Sequence, residues 1–283
     1  MEKVAFVGIC GQSVFLKGEA IAKVGETRLI DELHIELGGK GINSAYTTHK
    51  LGGNVAFFTA LGKDSFSTEC KEFFNRESLK TCIVEKDGVK SDYGVIINDA
   101  DGNNCVSVYL DASSKICEKD LDRFEQEIKE SSYLVTQAEM NDEVLLKIAN
   151  ICKESGTKII FDPSPQRVFP KEFLETVWLF TPNETEYENL FKQIIPKRAI
   201  VTKGANSVEL IEDGKKTIFP VEKISVRNTT GAGDVFNGAL AYALSAGKAF
   251  DEAIRFAMKA AAYKVQSLYV MDGIPSMEDL QQV

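Results

Sequence analysis

Two short stretches combine glycines with side chains able to handle an anion and a proton. The first is Asn228-Thr229-Thr230-Gly231-Ala232-Gly233-Asp234, followed by a run with Val235, Phe236, Ala239, Leu240, Ala243 and Leu244 on one helical face. Gly231 and Gly233 let the backbone turn sharply and meet a ligand with no Cβ in the way. The amides of Gly231 to Asp234 then stand at a helix N-terminus, where free N–H groups and the helix dipole attract an anion. Asp234 is aimed at the same spot. A carboxylate beside an anion hole can accept the proton of a hydroxyl that attacks the held anion. The plainer alternative is that Asp234 merely N-caps a glycine-turned helix. The second stretch, Gly38-Gly39-Lys40-Gly41-Ile42-Asn43, has three glycines in four positions. It permits close backbone approach to a polar ligand, with Lys40 and Asn43 supplying charge and amide hydrogen bonds. A structural turn before a helix is the alternative here. It is not a P-loop, because no G-K-[ST] follows at the required spacing.

Weaker signals lie between and before these two. Thr181-Pro182-Asn183-Glu184-Thr185-Glu186 places Asn and Glu three apart after an apolar strand, which reads as a capping box or as an acid near a metal-bound phosphate. Val201-Thr202-Lys203-Gly204 is a strand entering a glycine turn. Gly8-Ile9-Cys10-Gly11 lacks the G-x-G-x-x-G spacing of a dinucleotide site. His34 and His49 are the only histidines, which excludes a multi-histidine zinc site. Six cysteines without a C-x-x-C pair read as free thiols of a reducing compartment.

The elements that must carry these residues follow from hydrophobic patterning. Short apolar runs at Val4–Ile9, Val55–Ala60, Tyr133–Thr136, Lys158–Phe161, Val177–Phe180 and Ala199–Thr202 suit strands buried on both faces. Helical patterns fall at Asn43–Leu51, Asp64–Glu77, Leu121–Ile128, Glu143–Ser155 and Glu184–Gln193. A strand-like piece at Lys223–Arg227 leads into the first glycine stretch. The alternation predicts an α/β fold with a mostly parallel sheet and helices on both faces. Two segments break it. Ser13–Leu37 holds β-like pieces around a turn at Val24-Gly25-Glu26. Ser91–Asp111 reads as a hairpin turning at Asp99–Asn104. The 283 residues form one domain in this reading, with those segments as a small covering sheet. The net charge of −9 argues against a nucleic-acid or anionic-membrane partner. No run approaches the roughly 18 apolar residues of a membrane span, and the first residues read as a strand. A soluble cytoplasmic protein is expected.

Taken together, the chain resembles the PfkB-type, ribokinase-like carbohydrate kinases. The likeness rests on G-G-K-G-x-N at Gly38–Asn43 and T-G-A-G-D at Thr230–Asp234, roughly 190 residues apart, with N-E-T-E and T-K-G between them. The resemblance implies a Rossmann-like ribokinase fold with a β lid formed by residues 13–37 and 91–111. It implies transfer of the γ-phosphoryl of ATP, with Mg²⁺, to a hydroxymethyl group of a small sugar, and a homodimer through the lid. Asp234 matches the catalytic base, and Gly231, Ala232 and Gly233 the anion hole. Gly11, Ser13, Gly39, Lys40, Gly41, Asn43 and Glu139 match substrate contacts. Asn183, Thr202, Lys203, Gly204, Ser207, Gly233 and Met258 match the nucleotide pocket, and Glu186 the acid that organises Mg²⁺ through water. Three departures stand out. Ser13 replaces an acid that bonds sugar hydroxyls, and Ser207 replaces a glycine. Asn228, with Thr230, stands at a K⁺ site whose usual Asp is missing, which weakens that site. A nucleoside kinase and a non-catalytic sugar or nucleotide sensor are the competing functions.

Overall fold

A computed structural model of the chain describes residues 1–100 and 103–282. Strand β1 (Lys3–Val7) lies inside a nine-stranded sheet, third from one edge. On one side it pairs in parallel with β4 (Asn54–Gly62), which pairs with β5 (Thr81–Lys86). On the other side follow β8 (Tyr133–Gln137), β9 (Lys158–Asp162), β10 (Val177–Phe180) and β11 (Arg198–Thr202), all parallel. An antiparallel hairpin of β12 (Ser207–Glu212) and β13 (Lys215–Pro220) extends that edge. The chain therefore leaves β1 in opposite directions, which makes the β1/β8 boundary the switch point where α/β sheets hold ligands at their C-terminal strand ends.

Alternate strand residues feed two cores, as the pleat requires. Val4, Phe6, Val55 and Phe57 face α1 (Lys40–Lys50), α2 (Ser65–Arg76), α7 (Ala232–Ser245), α8 (Phe250–Lys264) and α10 (Met277–Gln281). Ala5, Val7, Ala56 and Phe58 face α3 (Glu125–Lys129), α4 (Asp142–Ser155), α5 (Lys171–Leu174) and α6 (Glu184–Phe191). The short α9 (Val270–Gly273) lies beside the second, smaller sheet.

That smaller sheet has the order β3-β2-β6-β7, from β2 (Gly11–Lys17), β3 (Glu32–Gly38), β6 (Asp92–Asn98) and β7 (Asn104–Tyr109). It is built from the two segments that broke the alternation. The turn at Val24–Glu26 is present, with the Glu26 amide donating to the Lys23 carbonyl at 2.9 Å. Asp101 and Gly102 of the expected hairpin turn lie outside the described residues. Around them, the Asp99 amide donates to the Asn103 carbonyl at 3.1 Å.

Three local expectations differ. Lys223–Arg227 is not a strand: the chain there is irregular, and Arg227 and Asn228 donate their amides to the Val265 carbonyl instead. The helix expected at Leu121–Ile128 is a 3₁₀ turn at Glu118–Arg123 followed by α3. Strands β5, β12 and β13 went unread, although Asp213-Gly214 between alternating runs marks the β12–β13 hairpin. Among the described residues, no helix is long and apolar enough to cross a membrane.

Candidate active site

The C-terminal ends of β1, β8 and β9 open into a cleft of about 520 Å³ between the large sheet and the small one. Helix α1 enters it at a fixed height. A Cβ at Gly41 would lie 2.5 Å from the Gly8 carbonyl carbon, so only glycine lets α1 press against the turn after β1. The Ile42 amide locks that contact by donating to the Ile9 carbonyl at 3.1 Å. Lys40 and Asn43, in the first turn of α1, consequently line the cleft. Gly41 itself does not, and the structure gives it a packing contact with Gly8.

Helix α7 packs beside α1 on the same face of the large sheet, with Thr48 Oγ1 donating to the Gly238 carbonyl at 2.7 Å. Gly231 is its N-cap in a left-handed conformation, φ +77°, and a Cβ there would stand 2.7 Å from Val270 Cγ1. The Ala232 amide is already used, donating to the Thr229 carbonyl at 3.1 Å, and Ala232 does not line the cleft. Among the described residues, the Gly233 and Asp234 amides have no backbone acceptor, and both residues line the cleft. Of the four amides expected to form an anion hole, that of Ala232 is thus already engaged. Asp234 is the third residue of α7 and only 6% exposed. Its Oδ2 accepts from Asn43 Nδ2 at 2.8 Å, and its Oδ1 lies 3.6 Å from Lys40 Nζ. It caps nothing: its carboxylate joins the two glycine stretches across 191 residues of chain.

Lys40 also donates to Asp162 Oδ2 at 3.3 Å. Burial pulls the Lys40 ammonium down, but Asp162, Asp234, Glu139 and Glu186 outweigh it and hold the charge firmly. Burial pushes the Asp162 carboxyl up to about 6 despite Lys40. Burial likewise pushes Glu139 up to about 8, with Lys40 opposing and Asp234 and Asp162 reinforcing. Burial thus favours the protonated form more strongly at Glu139 than at Asp162, and Glu139 Oε2 is buried with no partner among the described residues.

At the other end of the cleft, Asn183 and Glu186 open α6. Asn183 Oδ1 accepts the Glu186 amide at 2.9 Å, and Glu186 Oε2 accepts the Asn183 amide at 2.8 Å. This is a capping box, and both residues also line the cleft. Thr202 and Gly204 line the cleft beside them. Lys203 does not: it pairs with Glu184 at 2.9 Å and Glu209 at 3.2 Å. Ser207 opens β12, where its carbonyl accepts the Lys203 amide, and Met258 packs against the core from α8. Neither lines the cleft.

Gly11, Ser13 and Gly39 do line it, as does Asp92, which the sequence reading passed over. Gly11 pairs with Asp92 in the β2–β6 ladder. Asp92 is 1% exposed; its Oδ1 accepts the Asp111 amide at 2.8 Å, and its Oδ2 is unpartnered among the described residues. A carboxylate thus stands one strand away from the neutral Ser13. Asp162 also went unread, although an acid closing a parallel strand lies where such sheets bind ligands.

The loop before the anion hole is fully engaged. Asn228 Nδ2 donates to the Leu268 carbonyl at 2.7 Å, Asn228 Oδ1 accepts the Thr230 amide at 2.9 Å, and the Asn228 carbonyl accepts from Lys264 Nζ at 3.0 Å. Asn228 does not line the cleft, whereas Thr230 does. The small sheet touches this loop once and the neighbouring α9 once. Asn104 Nδ2 lies 3.4 Å from Thr230 Oγ1, and Glu36 of β3 accepts the Val270 amide at 2.9 Å.

Known ribokinases resemble this chain in sequence and in fold. The ribokinase of Lactococcus lactis is 30% identical over 293 residues, covering 99% of this chain and 96% of that protein. The ribokinase structure from Thermotoga maritima superposes with a TM-score of 0.88 at 30% identity, covering 100% of this chain and 99% of that one. The ribokinase of Arabidopsis thaliana, solved with ribose and ATP, gives a TM-score of 0.87 at 25% identity over 99% of this chain and 98% of that one. The family model for the pfkB carbohydrate kinases matches residues 1–277, and the chain belongs to that family.

Proposed function

We propose that the chain is an ATP-dependent kinase that transfers a γ-phosphoryl group to the hydroxymethyl group of a small sugar. The observation that carries this reading is Asp234, a buried carboxylate beside the open Gly233 and Asp234 amides and held by Asn43 and Lys40. The Arabidopsis relative's complex with ribose and ATP supports the same pair of ligands here. The sugar lies between the large sheet and the small one, which acts as a lid. Asp92, Glu139 and Asn43 face it with carboxyl and amide oxygens, a set suited to a ligand rich in hydroxyl donors. Asp234 orients the attacking hydroxyl and takes its proton as the new O–P bond forms and the bond to ADP breaks. The backbone donors at Gly233 and Asp234 hold the charge of the transferred group, and positioning outweighs base strength in such a loose transition state. Asn183, Thr202 and Gly204 line the nucleotide end.

The donor set suits Mg²⁺, because the acids at that end are hard oxygen ligands and too few to cage an ion: among the described residues no cluster of three or more forms. Glu186 would hold Mg²⁺ through water, and the ion would neutralise the phosphate charge. Two exposed apolar side chains on the lid edge, Leu33 and Ile35 of β3, support a homodimer through the lid.

The test is ADP release with MgATP across pentoses, hexoses and nucleosides. Turnover on at least one free sugar is expected. Turnover confined to nucleosides would replace the sugar by a nucleoside, and ligand-induced thermal shifts without any turnover would make the protein a sensor.

A further inference from the structure

Lys264 is the last residue of α8 and is 0% exposed. Its stem packs on α9, where a Cβ at Gly273 would lie 3.3 Å from Lys264 Cγ. Packing alone would be served by methionine, which carries no charge to desolvate. Instead an ammonium is buried there with one hydrogen bond, to the Asn228 carbonyl at 3.0 Å. Among the described residues it has no ion-pair partner within 4 Å; the carboxylates whose fields reach it are Glu36 from β3 and Asp234 from α7. Burial lowers it to about 8, so it stays protonated at neutral pH. A buried, under-partnered charge is costly, and this one sits behind the loop that opens into the anion hole.

The same loop is where the family resemblance implies a K⁺ ion, and the residues present do not fit one. A monovalent cation is favoured by a carboxylate and by carbonyl oxygens that face no positive charge; each carbonyl here keeps a second lone pair, but the position the resemblance gives to Asp holds the neutral Asn228, and its carbonyl already faces the Lys264 ammonium. Here the Asn228 carbonyl accepts from Lys264, the Leu268 carbonyl accepts from Asn228 Nδ2, and Asn228 Oδ1 accepts from the Thr230 amide. Rotating the Asn228 amide by half a turn would set donor against donor at Thr230 and acceptor against acceptor at Leu268, so its orientation follows from its partners.

We propose that the Lys264 ammonium is the resident cation of this loop, a tethered charge that shapes Asn228–Gly231 and supports negative charge at Gly233 and Asp234 without a bound monovalent ion. The structural half of this proposal is independent of the kinase reading; the catalytic half rests on it. Lys264 touches no substrate and acts as a positioning residue through the loop.

The experiment compares wild type, Lys264→Ala and Lys264→Met in NaCl, KCl and NH₄Cl at equal ionic strength, by thermal melting and by turnover. The wild type should melt and turn over identically in all three salts. Lys264→Met should lose roughly 10–10³-fold in kcat, the scale of removing one anion-stabilising group, with a smaller change in KM. Lys264→Ala leaves room for an ion, so NH₄⁺ or K⁺ should raise its melting temperature and restore part of its kcat; Lys264→Met should gain neither. Activation or stabilisation of the wild type by K⁺ would overturn the proposal, and needs no variant to fold. So would full kcat in Lys264→Met, or Lys264→Ala melts that ignore the salt. If the wild type turns over no substrate, the kinase reading fails, while the melts still decide whether Lys264 replaces an ion.

Discussion

Asp234 is held from two sides, by the Asn43 amide at 2.8 Å and the Lys40 ammonium at 3.6 Å, so an amide in its place keeps the shape and loses the proton acceptor. Asp234→Asn is therefore expected to lower kcat roughly 10²–10⁴-fold, the usual reach of a positioned base. Calorimetry with a non-hydrolysable ATP analogue should find binding retained. Near-normal turnover on the right sugar would remove Asp234 from its role. Glu139 offers a second test through stability. Its folded pKa, pushed to about 8 from an ordinary 4.5 chiefly by burial, means that the folded protein binds a proton the unfolded chain has lost. Stability linked to this group is complete below about 4.5 and drains away as pH rises to about 8. Glu139→Gln cannot ionise, so it should raise the melting temperature at pH 9 by at least about 2 °C and change it little at pH 4. Equal shifts at both pH values would show that Glu139 is not held protonated.

At the scale of elements, the anion loop is a junction between α7, α9 and the small sheet. Val270 packs on Gly231 while its amide is held by Glu36 of β3, so the small sheet and the helix start share one contact. Gly231→Ala places a Cβ against Val270 and in a left-handed backbone, φ +77°. It should cost roughly 2–4 kcal/mol in urea melts, about half from conformation and half from overlap. A loss below about 1 kcal/mol would mean that the loop relaxes freely. Much of this junction was legible beforehand. Gly231, Gly233 and Asp234 announced themselves by type and spacing, and so did Lys40 and Asn43, because glycine-turned helix starts are local features. What joins them was not legible. Lys264 ends an amphipathic helix and reads there as an ordinary partner of the helix C-terminus. Asp92 and Glu36 sit in lid strands where acids read as solvent-facing. Their burial arises from contacts between segments far apart in the chain, such as Glu36 with Val270, and no local pattern encodes those. Lys203, Ser207 and Met258 do not line the cleft: ion pairing, strand pairing and core packing engage them, and none of these is encoded locally.

For the molecule as a whole, the small sheet has two open edges, and both carry exposed apolar side chains, with Val106 and Val108 of β7 lining the cleft and Leu33 and Ile35 of β3 outside it. On β3, Leu33 is 64% exposed and Ile35 50%, while their alternating neighbours His34 and Glu36 turn inward to Tyr269, Val270 and Met271. Leu29, just before the strand, is 91% exposed. A lone exposed leucine is unremarkable, but three close together along one sheet edge offer both unpaired backbone and a surface to bury. A second copy of the chain satisfies both needs, and the net charge of −9 on each copy sets a repulsion that the apolar contact has to exceed. Sedimentation equilibrium should thus give twice the 31.2 kDa chain mass. The paired substitution Leu33→Lys with Ile35→Lys puts like charges into that contact and should return the single-chain mass. Because both side chains point away from the cleft, kcat of the resulting monomer measures whether the lid needs its partner to close. A wild type that sediments as a single chain at micromolar concentration would leave the lid edge as a free surface and the kinase as a monomer.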